Sequence, residues 1–73
     1  MDITTIRDTT VIMIPARFDA GNAPGIESEL RAVLATKPKK VIFDFADTGY
    51  IASAGLRVLL QITRDLMKTG AKV

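Results

Sequence analysis

Between Ala23 and Lys68 the hydrophobic repeat changes twice, and this alternation restricts the fold more than any other feature of the chain. In "APGIESELRAVLA", Ile26, Leu30, Val33 and Leu34 recur at i, i+4, i+7 and i+8, while Glu27, Ser28 and Arg31 fall outside the stripe. That spacing predicts an amphipathic helix over about Ala23 to Ala35. "KKVIFDFAD" then compresses two aromatics and a β-branched pair between Pro38 and the polar turn Asp47 to Gly49, the pattern of a buried strand over Lys40 to Phe45. From Ser53 to about Lys68 the helical period returns. Arg57, Gln61, Arg64, Asp65 and Lys68 share one narrow polar arc there, with Leu56, Leu60 and Met67 on one apolar shoulder, Val58, Ile62 and Leu66 on the other, and Leu59 between them. The apolar arc covers roughly half the circumference, wider than the ~100° stripe that one sheet face requires, so part of it must meet something else.

The flanks complete the outline. "ITTIRDTTVIMIPARF" gives β-branched runs at Ile3 to Ile6 and Val11 to Ile14 around a polar break at Arg7 and Asp8, a hairpin signature. Pro15 cannot donate to a ladder and should close the second strand or lie on its edge. "FDAGNAPG" reads as a loop in which the Asn22 side chain caps the first helix and Pro24 occupies its first turn. Gly70 fits the position after the second helix, and "AKV" starts a further strand as the chain stops. Helix-linked strands lie parallel with right-handed crossovers. The expected class is therefore α/β: one domain over residues 1–73, a small mixed sheet with the Lys40–Phe45 strand central and both helices on one side, truncated after the start of a fourth strand. An incomplete sheet edge of that kind invites association with a second copy.

Composition excludes several functions. No run approaches the roughly 18 apolar residues of a membrane span, and "MDITTIRD" lacks the basic and apolar regions of a signal peptide. With no cysteine there are no disulfides or thiolate sites, and a cytoplasmic setting is the default expectation. A net charge of +2 is too small to drive nucleic-acid binding, and "KPKK" at Lys37 to Lys40 has no interleaved aromatics, so it reads as a solvated connector. The chain contains no histidine, so Ser53 has no imidazole base within the chain, and the G-x-S-x-G pattern is only half met because Ile51 stands at its first glycine. Asp44 and Asp47 alone make no metal cage, and "GNAPG" lacks the Lys and Ser/Thr of a phosphate-binding loop. No enzyme, cofactor or metal is expected.

The remaining puzzle is Ser53 in "YIASAGLRVLLQ", a lone hydroxyl between two alanines at the mouth of the second helix. It can cap the helix by offering its oxygen to the amides near Gly55 and Leu56, although Leu56 occupies the place of a capping-box acid. Alternatively it is a mark. A phosphate there would sit at a helix N-terminus with Arg57 one turn on, and it would place negative charge in a small, apolar contact surface.

"VIFDFADTGYIASAGLRVLL" resembles the signature of the STAS family, the sulfate-transporter and anti-sigma-factor-antagonist domain, in which an apolar strand ends in Asp, a short loop follows, and a small-residue segment opens a helix. "ARFDAGNAPGIESEL" is similar to the family's earlier loop and first helix, and the spacing between the blocks is intact, so the resemblance runs from about Val11 to Val73. It implies that Asp19 is the loop aspartate beside the phosphorylation site, that Asp44 is the strand-end aspartate, and that Gly55, Leu56 and Arg57 are the helix opening. The position directly before the glycine, where one subgroup carries the modified serine, is Ala54 here, and Ser53 is the hydroxyl that remains. The resemblance further implies a non-enzymatic switch that binds an anti-sigma factor serine/threonine kinase through Asp19, Asn22, Ala52, Ser53, Ala54, Gly55, Leu56 and Arg57, with Ser53 the phosphorylation site. A second implied role is that of a non-phosphorylated accessory or ligand-sensing subunit of a larger assembly such as a transporter.

Overall fold

The computed structural model describes residues 1–73. Its elements are β1 (Asp2–Ile6), β2 (Thr9–Met13), β3 (Arg17–Phe18), α1 (Ala23–Ala35), β4 (Lys40–Asp44), β5 (Tyr50–Ile51) and α2 (Ser53–Lys68). The hairpin forms where the polar break predicts it, with Ile6 opposite Thr9 and Arg7 at φ 58°, the left-handed conformation that the tight two-residue turn demands. Pro15 lies just past β2. The last ladder bond there comes from Ile14, whose N–H donates to the Asp44 carbonyl at 2.9 Å.

β1, β2 and β4 form one mixed sheet in that order, antiparallel between β1 and β2 and parallel between β2 and β4. The middle strand is therefore β2, not the Lys40–Phe45 strand as expected, because the hairpin partner takes one side of β2 and the crossover through α1 delivers β4 to the other. On the far side of β4 only the chain end arrives. Val41 N–H donates to the Lys72 carbonyl at 2.8 Å and Lys72 N–H to the Lys39 carbonyl at 2.9 Å, a parallel bridge that agrees with the strand start read in "AKV".

Both helices cover the same face of this sheet. Ile12, Ile14 and Val41 point into one core with Ile26 and Leu30 of α1 and Val58, Leu59, Ile62 and Leu66 of α2. The expectation of a fully buried strand at Lys40–Phe45 fails for this reason: Val41 is 1% exposed, whereas its neighbour Ile42 faces the uncovered side and is 52% exposed, and Phe45 lies beyond the strand end in the open. The helix bounds agree with the periodicity. Arg31 of α1 reaches across to Asp65 of α2 at 2.7 Å and back to Glu27 at 3.3 Å, and its hydrogen bond holds the Asp65 carboxyl below the ordinary carboxylate range. α2 ends in a Schellman motif, with Gly70 at φ 89° donating to Met67 and Ala71 to Leu66. As the width of its apolar arc implies, α2 keeps one shoulder uncovered: Leu56, Leu60 and Met67 are 52, 59 and 63% exposed.

Candidate functional site

A second, two-residue ladder builds the site. β3 and β5 pair in parallel, Arg17 opposite Tyr50 and Phe18 opposite Ile51. Neither strand is legible in the sequence: Phe18 falls in a segment read as loop, and two residues are too few to show a period of two. Because the strands are parallel and in register, the chain leaves both at the same end, and each leads within a few residues into a helix. The turn Asp19–Asn22 and the opening of α2 at Ala52–Gly55 therefore emerge side by side. The carboxyl ends of parallel strands are where α/β folds commonly place binding surfaces.

Phe18 fixes the spacing between the two turns. Its ring is wholly buried, and its carbonyl accepts the Ala52 N–H at 2.8 Å. A Cβ on Gly55 would stand 2.7 Å from the Phe18 ring and 2.9 Å from its carbonyl oxygen. Gly55 is thus the residue that lets the first turn of α2 lie directly on β3.

The Asp19–Asn22 turn is internally bonded. Asp19 Oδ1 accepts the Gly21 and Asn22 amides at 3.0 and 3.1 Å, Arg17 Nε approaches Oδ2 at 3.4 Å, Asn22 Oδ1 accepts the Asp19 N–H at 2.8 Å, and Asn22 Nδ2 donates to the Arg17 carbonyl at 2.8 Å. Asn22 does stand at the N-cap of α1, but its side chain makes no capping bond, contrary to expectation. Its oxygen is directed backwards to Asp19, because the reciprocal Asp–Asn pair closes the turn before the helix begins. The Asn22 amide, and after it the Gly21 amide, pull the Asp19 carboxyl below its ordinary value. A depressed carboxylate stabilises the turn above its unfolded pKa, near 3.9, and this contribution is lost as the pH falls through the lower folded value. Carboxyl-carbon NMR should place the Asp19 midpoint below the ordinary aspartate value, with the Gly21 and Asn22 amide resonances shifting in the same step. An Asp19 midpoint at or above the ordinary value would contradict the bonding described.

Ser53 is not the cap of α2. The N-cap is Ala52, in extended conformation at φ −81°, ψ 168°, with its carbonyl accepting the Leu56 N–H at 3.0 Å. Ser53 is the first helical residue, one position too late for its oxygen to turn back on the N2 or N3 amides. Its hydroxyl is exposed and makes no hydrogen bond, and the Ser53, Ala54 and Gly55 amides are the orphan donors of the helix start. Ala54 is half-buried, while Leu56 and Arg57 are exposed, and Arg57 forms no ion pair. Between the two helix openings lies a cleft of about 210 Å³, with Ala20, Pro24 and Glu27 on one side and Ala54, Arg57 and Gln61 on the other. Sequence reasoning missed one feature at its margin. The Arg17 guanidinium stacks over the Tyr50 ring at 4.8 Å, a pair created by the β3–β5 register. Asp44 lies apart from this cluster, at the end of β4, where its Oδ1 accepts the Ala46 N–H at 2.8 Å and shapes the turn that follows.

The arrangement sets an exposed hydroxyl with small neighbours at a helix N-terminus, with the Arg57 cation one turn along. Comparison with known proteins gives a consistent picture. The family model described as the STAS domain matches residues 1–73. BtrV of Bordetella bronchiseptica, described as an anti-sigma factor antagonist, is 38% identical over 48 residues, which are 66% of this chain and 41% of that relative. Among solved structures, an anti-sigma factor antagonist from Mycobacterium paratuberculosis superposes with a TM-score of 0.86 at 23% identity, covering 96% of this chain and 60% of the other. The Bacillus cell fate determinant SpoIIAA in its phosphorylated form superposes with a TM-score of 0.79 at 18% identity, covering 97% and 66%. At these identities the structural matches speak for the fold. In all three comparisons the chain spans less than two thirds of the relative's length.

Proposed function

The chain belongs to the STAS domain family, and from that premise we propose that it acts as an anti-sigma factor antagonist, a non-enzymatic binding module switched by phosphorylation of Ser53. Its partner in this reading is an anti-sigma factor that is also a serine/threonine kinase. The kinase presses against the Asp19–Asn22 turn and the Ala52–Arg57 helix opening, and so controls transcription through the sigma factor it holds or releases. The observation that carries the reading is the state of Ser53: exposed, free of any intramolecular bond, and at the first position of a helix whose leading amides are unpaired. A kinase can move the γ-phosphoryl of ATP onto this Oγ, leaving ADP, without breaking any contact of the fold. The product is favoured where it stands by the helix N-terminus and by Arg57 one turn along.

The descriptions of BtrV and of the mycobacterial protein support the antagonist role, and the existence of SpoIIAA in a phosphorylated form supports phosphorylation as its control. Incubation with an anti-sigma factor kinase and ATP should add one phosphate, located at Ser53 by mass spectrometry and absent from Ser53→Ala. A chain that binds such kinases in no nucleotide state and takes up no phosphate would defeat the proposal and favour the accessory-subunit role.

A further inference from the structure

The uncovered face of the three-stranded sheet has a charge pattern that the switch does not use. Register places the outward side chains in rows. Asp2, Met13 and Asp44 lie across one end, Thr4, Val11 and Ile42 across the middle, and Ile6, Thr9 and Lys40 across the other end, where the parallel bridge adds Lys72 beside Lys40. The apolar side chains of this face are open to solvent, with Ile42 in the middle row 52% and Ile6 in the end row 61% exposed. Asp2, Asp44, Lys40 and Lys72 form no salt bridge within the chain, and Arg7 and Asp8 in the hairpin turn beyond the basic end offset one another.

We infer that this face is a self-association surface whose occupant is a second copy of the chain, packed face to face with its strands running the opposite way. The charge pattern selects the copy and its direction. A twofold axis parallel to the sheet plane and perpendicular to the strands stacks Ile42 and Val11 on their own equivalents and brings Lys40 over Asp44 of the second copy, twice by symmetry. A twofold along the strands would instead set Asp44 over Asp2 and leave Lys40 over Ile6, acid against acid and the base without a partner. Three strands about 4.8 Å apart and five residues long give a face of roughly 14 by 16 Å. That is well below the ~800 Å² per partner of a standard interface, so the dimer is weak and concentration-dependent. The helices lie on the other side of the sheet, so the dimer leaves the Ser53 surface free and does not depend on the switch.

Sedimentation velocity over a concentration series tests it, with circular dichroism confirming the fold of each variant. The wild-type chain should shift from monomer to dimer as concentration rises, and added salt should weaken the association. Lys40→Glu should weaken it by about tenfold, since two attractive pairs become repulsive at once. The double exchange Lys40→Glu with Asp44→Lys should restore it, although Asp44→Lys alone does not. Ile42→Lys, at a position with room for the longer side chain, should abolish the dimer and provides a second reading if Asp44→Lys fails to fold. A chain that stays monomeric at every concentration would overturn the inference. So would a dimer indifferent to Lys40→Glu and Ile42→Lys, which would point to the β4 edge or the open shoulder of α2 instead.

Discussion

Replacing Gly55 with alanine should destabilise the chain by about 2–3 kcal/mol, although alanine is the better helix former. Two effects oppose one another. Alanine gains up to about 1 kcal/mol of helix propensity over glycine. Against this, the added methyl meets the Phe18 ring at 2.7 Å and the Phe18 carbonyl at 2.9 Å. The ring is wholly buried, and the carbonyl belongs to the backbone that receives the Ala52 N–H, so relief requires a shift of packed core or of backbone. Overpacking of this kind costs about 1–3 kcal/mol and occasionally more, and the backbone contact puts this case at the upper end. A chain of this length has a total stability of about 4–11 kcal/mol, so the loss is a large fraction of it. In thermal unfolding, 2–3 kcal/mol corresponds to roughly 8–24 °C in a domain of this size. Relief of the clash would tilt α2 off β3 and spoil the alignment of the two turns, so partner binding should fall with stability. A melting temperature equal to or above that of the unsubstituted chain would show that α2 does not rest on β3 as described.

The second large effect is on binding alone. Ser53→Asp should weaken association with the anti-sigma factor kinase by at least ~100-fold while leaving the fold intact. A carboxylate at the first position of α2 gains about 0.3–1 kcal/mol from the helix N-terminus. The same carboxylate pressed into a contact made of Ala52, Ala54 and Leu56 is left without a partner, and uncompensated buried charge costs about 3–5 kcal/mol. Even about 2.7 kcal/mol is a factor of roughly 100 in affinity. Ser53→Ala should retain binding and lose less than ~0.5 kcal/mol of stability, because the hydroxyl makes no bond that the substitution removes. Were Ser53 a cap, alanine would instead cost about 1 kcal/mol and neither variant would touch affinity. Calorimetric titration of both variants against the kinase, paired with melting curves, separates these outcomes. Unchanged affinity in Ser53→Asp would end the case for a phosphorylation switch.

How much the residues alone determine is clearest at α2 and β3. The periodicity of Ile26 to Leu34 and of Leu56 to Leu66 fixes both helices, and Gly70 fixes where the second one stops, because these signals are local: a repeat along one element and a residue tolerant of positive φ. The hairpin and the family resemblance are legible for the same reason. Three features lie beyond local pattern. β2 rather than β4 is the central strand of the three because strand order is set by which neighbours compete for each edge. The capping assignments for Asn22 and Ser53 fail because a shift of one residue decides whether a side-chain oxygen reaches an amide, and the Asp19–Asn22 pair and the extended Ala52 set that shift. Phe18 and Gly55, 37 positions apart, together hold the site, and nothing in either segment announces the other. The sequence by itself determined both helices, the hairpin, the strand that follows the first helix and the apolar surface available, and it set a serine between two alanines at the mouth of the second helix. Only the tertiary structure decided that this hydroxyl is free and beside the Asp19 turn, since that depends on two short parallel strands whose pairing exists only when the chain has folded.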